Sequence, residues 1–100
     1  TPMTEAASRG EKAYLRGGCN GCHVIGQVSS GPDLTGAIAR KGEQWVYEFT
    51  LKPESKFNEP YTKALIEYFN LRMPNQHMTE AESKDIVEYM KWIDANADLF

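Results

Sequence analysis

One pentapeptide, Cys19-Asn20-Gly21-Cys22-His23, constrains the fold of this chain more than any other feature. Two cysteines separated by two residues and followed directly by a histidine have the spacing that covalent attachment of a c-type haem requires. Each cysteine sulfur would add across one vinyl group of the haem, and His23 would be held under the iron as its proximal ligand. The motif therefore predicts one covalently bound haem c, attached through Cys19 and Cys22.

Two other kinds of site also contain a pair of cysteines at this spacing. A thioredoxin-like redox pair follows a strand of a βαβ unit, and a small zinc module carries further Cys or His residues at ligand spacing. The chain has no third cysteine, and its other histidine, His77, lies far downstream. Haem attachment is the favoured interpretation, and a structural disulfide or a thiol switch is the alternative.

The composition is that of an ordinary folded domain. The chain has 100 residues, of which 41% are hydrophobic and 25% are charged, so we expect one domain over residues 1–100. A formal net charge of −3 argues against a nucleic-acid partner. No segment has the roughly 20 apolar residues of a membrane span, and residues 1–4 do not resemble a signal peptide. We therefore expect a mature form after cleavage or a domain of a longer protein.

Hydrophobic periodicity predicts an all-α fold with four helices and no strand. The first helix begins near Thr4, places Ala6, Gly10, Ala13 and Tyr14 on one face, and stops before Gly17. A loop rich in Gly, Ser and Pro follows from Gly26 to Gly36. The second helix spans Glu43 to Leu51 and ends before Pro53, because proline disfavours helical geometry in the residue before it.

Two further helices are predicted in the C-terminal half. The third begins at Pro60, which the first turn of a helix tolerates. The fourth begins after Thr79, which forms a T-x-x-E capping box with Glu82. Its apolar residues recur at helical spacing: Ile86, Met90, Ile93 and Ala97. The segment between these helices, residues 70–78, is predicted to be irregular.

The second axial ligand of the iron has several candidates in the sequence. We favour Met73, because it lies in the irregular segment and the proline after it restricts its backbone. Met78 is interpreted as packing at the start of the last helix, and Met90 as core filler. Met3 lies at a terminus that we expect to be frayed. His77 would give a bis-histidine iron, and an open site is the remaining alternative.

The chain resembles the small bacterial class I c-type cytochromes, which carry one haem. The resemblance covers nearly the whole length and rests on five segments: Gly10 with Tyr14, Cys19–His23, Gly31–Gly36, Met73–Asn75 and Ile86–Met90. It implies a class I cytochrome c-like fold, with about four helices wrapped around the haem. It also implies that the terminal helices cross, with Gly10 and Tyr14 packed against Ile86 and Tyr89.

The same resemblance implies which residues support the haem. The carbonyl of Pro32 is expected to accept a hydrogen bond from Nδ1 of His23, which fixes the tautomer of the ligand. Arg40 or Trp45 is expected near a haem propionate. For Arg40 a solvated loop charge is the alternative, and for Trp45 it is simple core packing.

The predicted function is one-electron transfer between transient redox protein partners in a respiratory chain, with no enzymatic turnover. His23 and Met73 would fill both axial positions, and the chain would work in the periplasm, free or tethered. The exposed haem edge is expected among uncharged residues: Gly17, Gly18, Asn20, Gly21, Gln27, Asn75 and Gln76. The alternatives are a haem enzyme or gas-binding sensor with a displaceable ligand, and the electron-delivery domain of a larger oxidoreductase.

Overall fold

The computed structural model describes residues 2–100, and the described chain is built from helices. Five α-helices follow in order: α1 (Glu5–Arg16), α2 (Ala37–Lys41), α3 (Glu43–Leu51), α4 (Pro60–Phe69) and α5 (Glu80–Ala95). Short 3₁₀ turns occur at Cys19–Gly21, Pro53–Lys56 and Ala97–Leu99. Within residues 2–100 there is no strand, and only an isolated bridge pairs Val24 with Gln27. The all-α prediction is confirmed.

The predicted capping residues begin the two long helices. The hydroxyl of Thr4 accepts a hydrogen bond from the N–H of Ala7 at 3.1 Å, which caps α1. At α5 the Thr79 hydroxyl accepts from the N–H of Glu82 at 3.1 Å, and the Glu82 carboxylate accepts from the N–H of Thr79 at 2.9 Å. Each bond satisfies a backbone donor that has no partner inside its helix.

The structure corrects three details of the sequence-based helices. Helix α2 was not predicted, because five residues are too few to show an amphipathic period. Helix α5 ends at Ala95, so Ala97 lies in the following 3₁₀ turn and does not continue the buried stripe. On α1 the buried alanine of the first turn is Ala7, whereas Ala6 is half-buried.

Helices α1 and α5 cross in close contact at Gly10. A β-carbon at this position would collide with the backbone carbonyl of Asp85 and would lie 2.9 Å from Cβ of Tyr89. One turn further along α1, the rings of Tyr14 and Tyr89 meet edge to face with centroids 5.5 Å apart. Glycine is required here because two helix backbones approach more closely than a side chain allows.

Two groups of buried side chains hold the helices together. The first contains Ala13, Val46, Ile86, Val87 and Met90, and the second contains Tyr14, Tyr89 and Ile93. The resemblance implies that Ile86 packs against Gly10 and Tyr14. In the structure Ile86 belongs instead to the group that contains Ala13, the residue before Tyr14.

None of the helices in residues 2–100 has the length and apolar character needed to cross a membrane.

Candidate haem-binding site

A cavity with an almost entirely apolar wall lies between the Cys19–Gly21 turn and helices α3, α4 and α5. Its wall is built mainly from aliphatic and aromatic side chains: Tyr14, Leu34, Val46, Phe49, Leu65, Ile66, Phe69, Ile86 and Met90. Several of these residues also belong to the buried core. Because most binding pockets are apolar with a few placed polar groups, the cavity suits a large, mostly apolar ligand.

Both cysteines of the pentapeptide lie at this cavity as free thiols. The 3₁₀ turn is closed by hydrogen bonds from the N–H groups of Cys22 and His23 to the carbonyl of Cys19, at 3.2 and 3.0 Å. Gly18 enters the turn with φ of 73°, a backbone conformation that favours glycine. Burial raises the pKa of the Cys19 thiol, so this thiol stays protonated near neutral pH. The structure does not contain the alternative disulfide.

The ring of His23 is oriented by the segment that follows the turn. Its Nδ1 lies 2.9 Å from the carbonyl oxygen of Pro32. Because a carbonyl can only accept, Nδ1 carries the proton in this hydrogen bond, and the lone pair of the neutral ring is on Nε2. The hydroxyl of Tyr14 donates to the backbone carbonyl of His23 at 3.2 Å and fixes its main chain. His23 and Pro32 both line the cavity.

Asp33 holds the loop that carries Pro32. Its carboxylate accepts hydrogen bonds from the N–H and hydroxyl of Thr35, at 3.0 and 2.9 Å, and from the N–H of Gly26 at 3.1 Å. Burial alone would raise the pKa of Asp33, but these hydrogen bonds and the nearby charge of Arg40 outweigh it and lower that pKa below its ordinary value. Asp33 is therefore ionised at neutral pH and braces the loop beside His23.

The candidate second ligands occupy different places. Met73 is half-buried and lines the cavity. Met78 does not line it, and its terminal methyl contacts Gly17 at the end of α1. His77 is exposed and is not part of the cavity wall, whereas Met90 is buried and is part of it. Met3 is half-buried against the Tyr14 cluster, so the expectation of a frayed Met3 is wrong.

Arg40 and Trp45 both line the cavity, and each polar group has a partner within the chain. Nη1 of Arg40 donates to the carbonyl of Thr35 at 3.0 Å. The indole N–H of Trp45 donates to the Glu59 carboxylate at 2.7 Å. The Trp45 ring also stacks on Phe49 with centroids 5.1 Å apart. The Trp45 ring therefore lies at the cavity wall, while its indole N–H is hydrogen-bonded to Glu59.

Thr62 and Lys41 are among the residues of the cavity wall that were not identified from the sequence. Thr62 is 2% exposed, and its hydroxyl has no hydrogen-bond partner among the described residues. Lys41 places Nζ 4.8 Å from the ring centre of Trp45 and 4.7 Å from that of Tyr61. The sequence held a weak signal for Thr62, because helical spacing places it on the same face of α4 as Leu65 and Phe69.

The residues at the cavity fit a haem. They provide two free thiols beside the cavity, an imidazole with its Nε2 lone pair available, a second possible ligand in Met73, and apolar walls. No group of three His, Cys, Asp or Glu residues in the described chain could hold a metal ion, so a zinc site has no support there.

Comparison with known proteins agrees with this geometry. A cytochrome c from Rhodothermus marinus has the same fold, with a TM-score of 0.86 at 22% identity over 96% of this chain and 87% of that one. An engineered form of that cytochrome, bound to a carbene intermediate, matches over 96% and 88% of the two chains with a TM-score of 0.80 at 22% identity.

A cytochrome c domain of a protein from Pseudomonas putida matches with a TM-score of 0.73 at 28% identity, over 89% of this chain and 91% of that one. A search of curated protein sequences finds no match. The cytochrome c family model matches residues 7–94. That match covers most of the chain and includes the pentapeptide, the residues that line the cavity and the crossing of α1 with α5, so the chain belongs to the cytochrome c family, whose cofactor is covalently bound haem c.

Proposed function

We propose that this chain is a one-electron carrier whose haem iron is held by Nε2 of His23 and the thioether sulfur of Met73. The observation that carries the proposal is that both residues line one cavity, while the Nδ1 proton of His23 is engaged by Pro32. When bound, the haem supplies a couple between ferric and ferrous iron. The chain contributes the two axial ligands, their orientation and the exclusion of water.

The ligand pair explains why we favour transfer of electrons over turnover at the iron. A thioether and an imidazole together favour a relatively high potential, and they leave no axial position open to dioxygen or peroxide. The hydrogen bond between His23 and Pro32 holds the imidazole in one tautomer and increases its basicity. The apolar wall limits how much water must reorient around the haem when the charge of the iron changes.

We further propose that residues 1–100 act as one cytochrome c domain that docks transiently through the edge near the pentapeptide. Gly18, Asn20, Gly21 and Gln27 are exposed, and Asn75 is half-buried, bonded to Glu54 at 2.9 Å. Transient redox encounters bury little surface, so an uncharged patch suits them. Since the chain carries a net charge of −3, steering at longer range would come from a basic partner.

The proposed place of action is the periplasm, as a component of a respiratory chain. Cytochromes c generally work outside the cytoplasm, which supports this location. The relative from Pseudomonas putida is a domain of its protein, so a role as the electron-delivery domain of a larger oxidoreductase is compatible with the same chemistry. These two arrangements differ in connectivity and not in the function of the haem site.

The axial assignment is tested by comparing Met73→Ala with Met78→Ala. A bond between ferric iron and a thioether gives a far-red absorption band. We expect the band in the unmodified protein, its loss in Met73→Ala and its retention in Met78→Ala, because Met78 packs against Gly17 away from the cavity wall. Loss of the band in Met78→Ala alone would reject Met73 as the ligand.

Carbon monoxide separates the carrier from a haem enzyme or gas sensor. The engineered relative from Rhodothermus marinus is bound to a carbene intermediate. This observation supports a haem enzyme or gas sensor as the second candidate function. For a carrier with His23 and Met73 on the iron, the reduced protein should bind carbon monoxide slowly or hardly at all near neutral pH. Rapid stoichiometric binding by the unmodified protein would favour the enzyme or sensor.

A further inference from the structure

The segment that carries Met73 is held by side chains and not by its backbone. It lies between α4 and α5, and within the described chain no hydrogen bond joins the backbone of residues 71–78 to another backbone group. The N–H of His77 donates instead to the side-chain oxygen of Asn75 at 2.7 Å. Segments without a backbone ladder open more easily than the helices beside them, so the side-chain contacts decide how firmly this one is held.

Two side-chain contacts flank Met73. The amide of Asn75, two positions after Met73, donates to the Glu54 carboxylate at 2.9 Å. The guanidinium carbon of Arg72, the residue before Met73, lies 5.8 Å from the ring centre of Phe57, which is within the range of a cation–π contact. Both partners lie in one short stretch between α3 and α4.

That stretch, Pro53–Phe57, is itself well anchored, and we call it the platform. Pro53 is among the most deeply buried side chains of the described residues, with less than 2% exposed. The ammonium of Lys56 lies 2.7 Å from the Glu48 carboxylate and 3.7 Å from that of Glu59, and the Lys56 side chain is 15% exposed. The platform is therefore fastened to α3 and to the start of α4, so a contact with it fixes the segment in place.

The amide of Asn75 is suited to its two contacts. Its oxygen accepts from the N–H of His77, and its nitrogen donates to Glu54. Because an N–H can only donate and a carboxylate can only accept, a single orientation of the amide satisfies both. An aspartate at position 75 would keep the first contact and turn the second into a repulsion between carboxylates.

We propose that Asn75 with Glu54, and Arg72 with Phe57, tie the segment to the platform and so position Met73 over the cavity. Glu54, Asn75 and Arg72 are positioning residues, because they act on the iron only through Met73. The inference rests on the proposed function, in which Met73 is the second axial ligand. Since Glu54 and Arg72 are exposed, their contacts govern local opening of the segment and contribute little to global stability.

The first test removes the carboxylate. Carbon monoxide binds the reduced iron only when Met73 leaves it, so at saturating carbon monoxide the binding rate measures opening of the segment. We expect Glu54→Ala in the holoprotein to raise this rate about three- to fivefold, as for loss of one exposed hydrogen bond. Glu54→Gln keeps an acceptor oxygen and should leave the rate close to that of the unmodified protein. Glu67→Ala is the matched control, because Glu67 is exposed on α4 and does not line the cavity.

The second test exchanges donor and acceptor. Asn75→Asp should raise the rate at least as much as Glu54→Ala, because two carboxylates then face each other. Adding Glu54→Gln supplies an amide donor to the new aspartate, so the double variant should return close to the rate of the unmodified protein. This rescue requires direct contact between the two side chains, since distant substitutions combine additively.

The third test concerns the contact on the other side of Met73. Arg72→Gln removes the cation from the ring of Phe57 and should raise the rate about two- to threefold. Lys63→Gln is the control, because Lys63 is exposed, does not line the cavity and loses the same charge. In both tethering variants, Glu54→Ala and Arg72→Gln, the denaturant midpoint of the holoprotein should stay close to that of its control.

Three results would overturn the proposal. In the first, Glu54→Ala and Arg72→Gln raise the rate no more than their controls. In the second, the double variant is as fast as Asn75→Asp alone. In the third, faster binding is matched by a fall in the unfolding midpoint, so that the contacts act on the whole fold.

The far-red band separates failure of this inference from failure of the proposed function. If the unmodified protein lacks the band, the assignment of Met73 is wrong and this inference falls with it. If the unmodified protein shows the band and Met73→Ala loses it, but the rates of the tethering variants match their controls, this inference alone is overturned.

Discussion

Gly31 lies directly against the imidazole ring of His23. A β-carbon on Gly31 would be 2.7 Å from Cε1 of that ring and 3.0 Å from Nδ1. Gly31 also donates its N–H to the carbonyl of Cys22 at 2.8 Å. This hydrogen bond holds the Gly31 backbone close to the His23 ring. The close approach places the neighbouring Pro32 carbonyl within hydrogen-bond distance of Nδ1. Absence of a side chain at position 31 is therefore part of how the His23 ring is oriented.

Gly31→Ala should disturb the position of the His23 ring. The added methyl group would displace the His23 ring or the Pro32 carbonyl, and overpacking of this kind costs about 1–3 kcal/mol of unfolding free energy. We expect a lower denaturant midpoint and an altered reduction potential in the holoprotein. Gly21→Ala is the control, because a β-carbon there meets no atom within 4 Å. Equal effects of the two substitutions would contradict the proposed role of Gly31.

Asp33→Asn should lower stability in a pH-dependent way. The folded state lowers the pKa of Asp33, so its ionised form stabilises the fold above the ordinary carboxyl range, and this stabilisation is lost as the pH falls through the folded pKa. We expect a loss of about 1 kcal/mol at neutral pH, typical of a hydrogen bond. Denaturant unfolding between neutral and acidic pH measures it.

The difference between Asp33→Asn and the unmodified protein should narrow as the pH falls below the ordinary carboxyl range. Asp98→Asn, in the exposed C-terminal turn, serves as the control and should show little change at any pH. A constant difference for Asp33→Asn across the whole pH range would show that ionisation of Asp33 does not support the loop.

Gly10→Ala should destabilise the protein although alanine is the better helix former. In a helix interior, alanine is favoured over glycine by about 1 kcal/mol. At Gly10, however, a β-carbon collides with the carbonyl of Asp85, so α1 and α5 must move apart. We expect a net loss of about 1–3 kcal/mol in denaturant unfolding. Lys12→Ala, at an exposed position of α1, is the control, and an unchanged midpoint for Gly10→Ala would contradict the close crossing.

Covalent attachment predicts a specific mass. Cys19 and Cys22 both line the cavity as free thiols, beside the ring that they are expected to bind. Under denaturing conditions the intact mass should exceed that of the polypeptide by one haem, and acid acetone should not extract the haem. With both cysteines replaced by alanine, the mass should equal that of the polypeptide alone. The bare mass in the unmodified protein would contradict attachment.

Features that depend on neighbouring residues could be predicted from the sequence. The spacing of Cys19, Cys22 and His23 indicated the cofactor, because attachment requires a fixed short separation. Thr4 and Thr79 marked the starts of α1 and α5, since a cap bonds within its own first turn. The resemblance to class I cytochromes added the Pro32 contact, which the structure contains at 2.9 Å.

Features that depend on distant residues were decided only by the tertiary structure. Trp45 donates to Glu59, fourteen positions away, and packing of α4 buries the Thr62 hydroxyl without a hydrogen-bond partner among residues 2–100. Lys41 contacts the rings of Trp45 and Tyr61 only because α3 and α4 pack beside α2. Local hydrogen bonds follow from spacing along the chain, whereas these contacts exist only after packing of the helices has fixed which side chains share the cavity wall.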